Sequence, residues 1–511
     1  MLFIKLITCL FFVMVGLCSL EAQPPNIVFI LTDDLGYGDL SCYNSESKIK
    51  TQHLDQMAAE GLRFTDAHSP STVCTPSRYS LLTGRMAFRT GFKGVFGGIG
   101  GPCMIEKGRL TLQEMLQQKG YATACFGKWH MGMTFFDKKD GSEVEPIRGI
   151  ETVKKIDFTR FIPDAPIHHG FDHFFGTVSC PTTSWMYAYV DGDRVPVPPD
   201  LNRIRDDQAL PSHPYSHDCR AGLQAPDFEF EQVDMKFLEK SQAFLKQHVE
   251  THPKQPFFLF HSMQAVHLPS FPAPQFKGKS GAGPHGDFIY QLDHIVGELL
   301  KTLKELKVDE TTLVMFSSDN GPEVPTSIAM RRDHQHNGAR PWRGVKRDNW
   351  EGGHRVPMIA RWPSVIKAGR LTDQPFCLTD VLATCASLVD ADLSEHVVED
   401  SFDFSELLKS EKQELEPIRP YLIHQTISLA LSIRKGDWKY LDHKGSGGNG
   451  YNKDRLKPLD VEASHQDLPA QLYNLKRDPG ERNNVINKYP EIAKALKQAL
   501  EEIKNKKTTS L

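Results

Sequence analysis

No surplus of charge of one sign runs through this sequence. Its 60 Lys and Arg nearly balance 64 Asp and Glu, giving a net charge of −4 over 511 residues. That balance excludes the basic footprint of a nucleic-acid-binding protein. Beyond the first segment no apolar run is long enough to span a bilayer as a helix, so no membrane span is expected. There is no Cys-x-x-Cys pair and no zinc-finger spacing, which argues against a structural zinc site. No Walker motif, Gly-x-Ser-x-Gly elbow, Asn-x-Ser/Thr acceptor or internal repeat occurs. GVFGGIGGP (94–102) follows no strand and reads as a flexible loop rather than a dinucleotide fingerprint. What is abundant is apolar material: 40% of residues, with 30 Phe, which describes a soluble globular protein with a large core.

Residues 1–22 stand apart. Lys5 precedes an apolar run from Leu6 to Leu17, and small or polar Ser19 and Ala22 follow. This is the pattern of a cleaved secretory signal peptide, so a secreted or periplasmic protein is expected. Leu17 is a poor residue before a lipoprotein cysteine, so an anchor on Cys18 is not expected. Of ten cysteines, Cys9 and Cys18 fall in this leader. The other eight lie in a compartment that permits disulfides, but their pairing cannot be read from spacing.

Strand and helix signals alternate over about the first four hundred residues. Asn26–Leu31, Pro256–His261 and Thr311–Phe316 are continuous apolar runs, the mark of strands buried on both faces. Tyr121–Phe126 is a fourth, shorter strand. Residues 110–119 and 287–306 have helical spacing. The alternation predicts an α/β fold: a large, mostly parallel sheet between helices. After residue 412 the texture changes to short strands (421–424, 432–434, 438–441), a Gly-rich loop and a helix over 490–504, read as a small α+β domain over 413–511.

Two acidic pairs follow strands. Asp33-Asp34 comes after the first, and Asp319-Asn320 after 311–316. Singly, the first reads as a helix cap and the second as a turn. In a parallel sheet, however, ligands bind at the carboxyl ends of strands. Neighbouring strands would there gather three carboxylates, which repel unless compensated. An oxygen-only set without His or Cys suits a hard divalent cation, Ca2+ or Mg2+.

The most specific segment is Cys74-Thr75-Pro76-Ser77-Arg78, with Thr83-Gly84-Arg85 downstream. Alone, Cys74 would be a small buried hydrophobe. In this setting it resembles the signature of the type I, formylglycine-dependent sulfatases of the alkaline phosphatase superfamily. The resemblance extends over most of the chain. Asn26–Asp34 is similar to that family's first strand and metal pair. Gly127-Lys128-Trp129-His130 matches its Gly-Lys-Trp-His motif, with Met131 where Leu is commoner. Phe257–Pro269 is similar to the strand leading to its second histidine, here His267. Asp319-Asn320-Gly321 matches the second metal pair, and Arg343–Lys346 before Glu351-Gly352-Gly353 matches the segment bearing its sulfate-binding lysine. Val345 stands there for a common Gly. LYNLKRDPG (472–480) resembles its C-terminal signature, and FKGKSGAGPHGD (276–287) leans to the arylsulfatase A-like branch.

The resemblance implies an alkaline phosphatase-like sulfatase domain over 23–412. It implies one bound Ca2+, with Mg2+ less favoured, held by Asp33, Asp34, Cys74, Asp319 and Asn320. A maturation enzyme would convert Cys74 to Cα-formylglycine. The hydrated aldehyde, near Arg78, would attack sulfur in line and leave a sulfo-enzyme hemiacetal. His267, helped by Lys346, would protonate the leaving alcohol, and His130 would deprotonate the second hydroxyl to expel sulfate. Lys128, His267 and Lys346 would bind the sulfate, a compact anion that needs cations. The substrate expected is a sulfated carbohydrate or an aryl sulfate. Two alternatives stay open: a phosphomonoester or phosphonate monoester hydrolase of the same superfamily, and an inactive sulfoglycan-binding scaffold. His168, His169, Trp185, Tyr187, His336 and Arg340 sit in loop-like segments and are candidates to line the substrate pocket.

Overall fold

The computed structural model of the chain describes residues 24–97, 99, 101–183, 185–200, 204–205, 213–216, 220–393, 399–410, 416–465, 467–506 and 509. The expected leader, Cys219 and the expected domain boundary at 412 lie outside the described residues. The seven described cysteines are all free thiols. Among the described residues no helix is long and apolar enough to cross a membrane.

A nine-stranded sheet forms the body of the molecule. Its five central strands, in spatial order Thr312–Ser318, Asn26–Thr32, Phe257–Ser262, Ala122–Lys128 and His173–Thr177, are all parallel. Antiparallel Met358–Arg361 and Val190–Asp191 flank them, so the sheet is mixed at its margins. In Thr312–Ser318 and Phe257–Ser262 every residue is buried, so both faces are covered. Helices Gln52–Ala59, Val233–Thr251 and Gly283–Glu305 pack together as one layer, and Cys74–Thr83, Leu112–Gln118 and Asp380–Leu388 as another. The continuous apolar runs thus became the strands they predicted, because a strand covered on two sides has no solvent face to mark with polar residues. The 110–119 helix begins later than its spacing suggests. Thr111 caps it, its hydroxyl accepting from Glu114 N at 3.2 Å.

The C-terminal part folds as a separate antiparallel sheet of four strands, Leu422–Gln425, Leu431–Lys435, Trp438–Leu441 and Gln471–Asn474, covered by helix Pro490–Lys506. The fourth strand overlaps the start of the segment matched only as a C-terminal signature. The new sheet is seated beside the loop that leads to Cys74: Thr72 N donates to Gln425 O at 3.0 Å and Gln425 N to Pro70 O at 3.2 Å.

Candidate active site

The parallel strands all end at one edge of the sheet, and the chemistry-bearing residues follow those ends. Thr32 pairs with Ser318, Leu31 with Ser262 and Gly127 with Ser262. Asp33-Asp34, Asp319-Asn320, Lys128–His130 and His267 therefore converge, as strand order alone requires. Gly127 has φ 131°, and a Cβ there would lie 1.7 Å from Ser262 O. The glycine of the Gly-Lys-Trp-His motif is what lets this strand close on its neighbour. Asp34 and His130 also take positive φ, 61° and 63°. Such backbone is uncommon for residues with a Cβ and turns both side chains inward at the sheet edge.

Cys74 is the first residue of helix Cys74–Thr83, all of whose ten residues are buried. Arg78 stands one turn on and so faces the same way. Gly84 ends the helix with φ 64°, its N–H bonded to Ser80 O, which explains the Thr-Gly of the motif. Cys74 Sγ donates to Asp33 Oδ1 at 3.2 Å and receives Lys346 Nζ at 3.5 Å. Lys128 Nζ pairs with Asp33 Oδ2. Arg78 Nε donates to Asp319 Oδ2 at 2.9 Å, and its Nη1 to Ser262 Oγ at 2.6 Å. Lys346 Nζ donates to Asp34 Oδ1 at 2.5 Å, and Asn320 Nδ2 donates to the same oxygen at 2.7 Å.

Three carboxylates are thus faced by three cations, yet oxygens remain open. Asp34 Oδ2 and Asn320 Oδ1 are buried without a hydrogen-bond partner, as is Arg78 Nη2. Ligand atoms of Asp33, Asp34, Cys74 and His267 all lie within 4.8 Å of one another. Asp319 stands outside that group, its Oδ2 turned to Arg78. Burial would raise Asp33, but Lys128, His267, Arg78 and Lys346 hold it well below the usual carboxylate range. Burial and the neighbouring carboxylates raise Asp34, and they push Asp319 up to about 7. Two carboxyls are therefore short of positive charge. Orphaned buried oxygens and an oxygen-rich donor set fit a hard divalent cation.

Burial, with Asp319 and Asp33 beside it, raises the Cys74 thiol well above its ordinary range. An unconverted thiol here is un-ionised and a poor nucleophile.

Two histidines border residue 74 with opposite bias. His267 Nδ1 bonds Leu268 O at 2.5 Å, so Nδ1 carries the hydrogen and Nε2 faces the site, 3.8 Å from Asp34 Oδ2. His130 Nε2 bonds Phe96 O at 2.6 Å, which leaves Nδ1 as its basic nitrogen. Burial alone would lower His267, but the Cys180 sulfur and the Asp34 and Asp33 carboxylates push it up to about 9. Burial, reinforced by Lys128, lowers His130. Cys180 lies between them, its Sγ 3.6 Å from His267 Nε2 and 3.9 Å from His130 Nδ1.

These groups floor a pocket of about 220 Å3 lined also by Val95, Phe96, Gly97, Arg148, Arg220, Glu323, Arg347 and Ile427. The glycine-rich loop supplies one wall, and Ile427 comes from the turn between the first two strands of the C-terminal sheet. None of the six loop candidates lines it. His336 is buried and bonds Asp39 Oδ1 at 2.7 Å, and Arg340 pairs with Glu46. His168 lies 3.2 Å from Asp193, and His169 flanks a different cavity with it. Trp185 lies beneath Arg220, and Tyr187 is buried with its hydroxyl donating to Arg220 O at 2.6 Å. Aromatic and imidazole side chains in loops serve packing as readily as ligands, and here they do. Cys180, Arg148, Arg220 and the Glu323–Arg347 pair were missed. Cys180 had a usable signal: it follows His173–Thr177, which ends at the same sheet edge as Lys128.

The mostly parallel sheet between helices, with a charged pocket at its carboxyl edge, is an alkaline phosphatase-like α/β scaffold. The sequence pattern of the sulfatase family matches residues 25–391. The chain is 32% identical over 502 residues to an N-acetylgalactosamine-6-O-sulfatase of Bacteroides thetaiotaomicron, covering 95% of this chain and 94% of that one. It is 34% identical over 499 residues to human arylsulfatase A, covering 93% of this chain and 87% of that one. A solved structure from work on glycosaminoglycan metabolism by Bacteroides thetaiotaomicron superposes with a TM-score of 0.78 at 29% identity, covering 95% of this chain and 100% of that one. The chain belongs to the sulfatase family and is a sulfuric ester hydrolase.

Proposed function

We propose that this enzyme hydrolyses sulfate monoesters of sulfated carbohydrates, and aryl sulfates, at the pocket floored by residue 74. The observation that carries the reading is the pair of histidines with fixed tautomers and opposite bias on either side of that residue. Environments that push two titratable groups apart assign an acid and a base. His267, protonated at neutral pH, holds a proton at Nε2 for the leaving alcohol. His130, neutral, offers Nδ1 to take one from the residue-74 side. Lys128 and Lys346 bring positive charge against the sulfate oxygens, and Arg78 fixes Asp319 and the strand ends around the helix start.

Conversion of Cys74 to Cα-formylglycine by a maturation enzyme would supply a hydrated aldehyde as nucleophile, one that returns by expelling sulfate. The raised thiol supports that need. Asp33, Asp34, Asp319, Asn320 and the converted residue would hold one Ca2+, whose charge polarises the sulfate when bound. The names of the two relatives support sulfated sugars and aryl sulfates as substrates, and the leader supports export.

The test is the mass of tryptic peptide Phe64–Arg78 from protein made in its natural host, followed by turnover. An aldehyde at position 74, with aryl sulfate cleaved faster than aryl phosphate and activity lost to a chelator, is expected. An unmodified thiol in active protein, or faster cleavage of the phosphate, overturns the reading.

A further inference from the structure

The floor of the pocket accounts for one sulfate, but its mouth carries further cations. Among the described lining residues, Arg148, Arg220, Lys346 and Arg347 face a single acid, Glu323. Glu323 is already occupied. Arg347 donates to both of its oxygens, at 2.5 and 2.8 Å, and Lys346 lies 3.6 Å away. Arg148 is exposed at the mouth and has no hydrogen-bond or ion-pair partner among the described residues. It is nevertheless positioned. A Cβ on Gly97 would lie 2.7 Å from Arg148 Nε, so the guanidinium lies against the bare backbone of the glycine-rich loop. Arg220 is held by other means: its guanidinium lies 4.8 Å over the Trp185 ring, and Nη1 donates to Thr183 O at 3.3 Å.

Cys74 Sγ bonds Asp33 and Lys346 and neither arginine, so both arginines stand outside the cluster at the pocket floor. Like charges at the mouth of one pocket repel until an anion enters. The guanidinium fork is weakly hydrated and matches carboxylates and sulfates in two-pronged fashion. At about 220 Å3 the pocket falls below the range that encloses a drug-sized ligand, so the neighbour of the sulfated sugar must lie outside, at the mouth.

We propose that Arg148, with Arg220, forms a second anion subsite, and that the substrate is an acidic glycan whose second negative group flanks the scissile sulfate. This rests on the floor being a sulfate ester site. The second group is a uronate carboxylate on the neighbouring residue or a further sulfate on the same one.

Sulfated hexosamines tested as neutral methyl glycosides, as glucuronate-linked disaccharides and as disulfates would separate these sources. Wild type is expected to favour one acidic form over its neutral partner by about tenfold or more in kcat/KM, the worth of a charge-assisted contact. Arg148→Gln should bring that ratio to within about threefold of one, mainly through KM. Because Arg148 is exposed, an unchanged melting temperature is expected. Arg220→Gln should move the ratio in the same direction. The proposal falls if neither acidic form is preferred, or if Arg148→Gln lowers acidic and neutral substrates equally. Should formylglycine-bearing protein cleave no sulfate ester at all, 4-nitrophenyl sulfate included, the sulfate ester reading itself falls, and the subsite with it.

Discussion

Two clusters in this protein look alike by every ordinary measure of a functional site, and only one borders the pocket. The first surrounds Cys74. The second lies at the seam between the large sheet and the C-terminal sheet, where His68, His354 and His424 are fully buried among Asp66, Glu351, Glu481, Arg355, Arg434 and Lys439. Each holds three acids and three permanent cations. Each shifts its histidines away from their ordinary range. The seam, however, pairs most of its polar atoms internally, although His424 Nε2 is buried without a hydrogen-bond partner. His68 Nε2 donates to Asp66 at 2.7 Å, so its Nδ1 accepts from His354 Nδ1 at 3.0 Å, and His354 Nε2 in turn accepts from Lys439 Nζ at 3.0 Å. Lys439 also reaches Glu351 and Glu481, each at 2.9 Å. The His354 and His424 rings stack at 3.7 Å and 11°, so their in-plane lone pairs cannot meet on one metal ion. Around Cys74, Asp34 Oδ2 and Asn320 Oδ1 are left without partners, and Cys74, His130, His267 and Lys346 of the same cluster line a pocket. Burial and perturbed titration are common to structural and catalytic networks. The pocket lined by the Cys74 cluster separates them.

The comparison breaks if variants in the pocket cost stability and variants at the seam cost chemistry. Cys74→Ala has the largest expected effect: aryl sulfate turnover falls by at least about 10⁴-fold, as for the removal of other enzymatic nucleophiles, with little change in thermal midpoint. His130→Gln and His267→Gln should each lower kcat by about 10²–10⁴-fold. The wild-type pH profile should report the same pair. Activity needs His267 protonated and is lost as pH rises through about 9. It also needs His130 neutral, and is lost on the acid side at a pH below 6.5. His267→Gln should erase the alkaline limb, and an unmoved limb would take the acid role from that residue.

At the seam the currency is stability. Lys439→Met strands Glu351 and Glu481 in the interior and should cost about 3–5 kcal/mol in denaturant unfolding, while folded molecules keep their kcat. Acid should act there next. Burial lowers the affinity of His68, His354 and His424 for protons below the ordinary 6.5. The unfolded chain therefore binds more protons than the native one. Stability is full above pH 6.5 and declines as pH falls below it, by up to about 1.4 kcal/mol per pH unit for each histidine. His424→Gln should flatten that slope, and an unchanged slope would place the acid-sensitive groups elsewhere.

The difference between the clusters also explains what the sequence made legible. Strands buried on both faces announce themselves as apolar runs, and residues just past their ends share an edge by topology alone. That brought Asp33, Asp34, Asp319 and Asn320 together from the sequence, whereas Lys128 was reached through its motif. Cys74 and Arg78 were legible only because their motif resembles a family signature, and the fold supplies the reason for the spacing, one helical turn. Arg148, Arg220 and Ile427 reach the pocket from long loops and from a turn of the other sheet, and no local period encodes such contacts. The seam was illegible for the same reason: His68 and His424 are 356 residues apart in sequence and meet only in the fold.

Arg340 sharpens the comparison at its weak end. It carries the same guanidinium as Arg148 and, unlike Arg148, was expected from its loop to line the pocket. The fold turns it outward to an exposed pair with Glu46, with both side chains about half accessible. Such a pair gains little over its separate hydration and is screened by salt. Arg340→Ala should therefore change stability by less than about 1 kcal/mol and leave turnover of every substrate near wild type. Arg148→Gln, by contrast, should alter acidic substrates selectively. If Arg340→Ala reproduced that selectivity, the pocket mouth would extend to Glu46, and an open partner beside a cavity would no longer be what marks a functional arginine here.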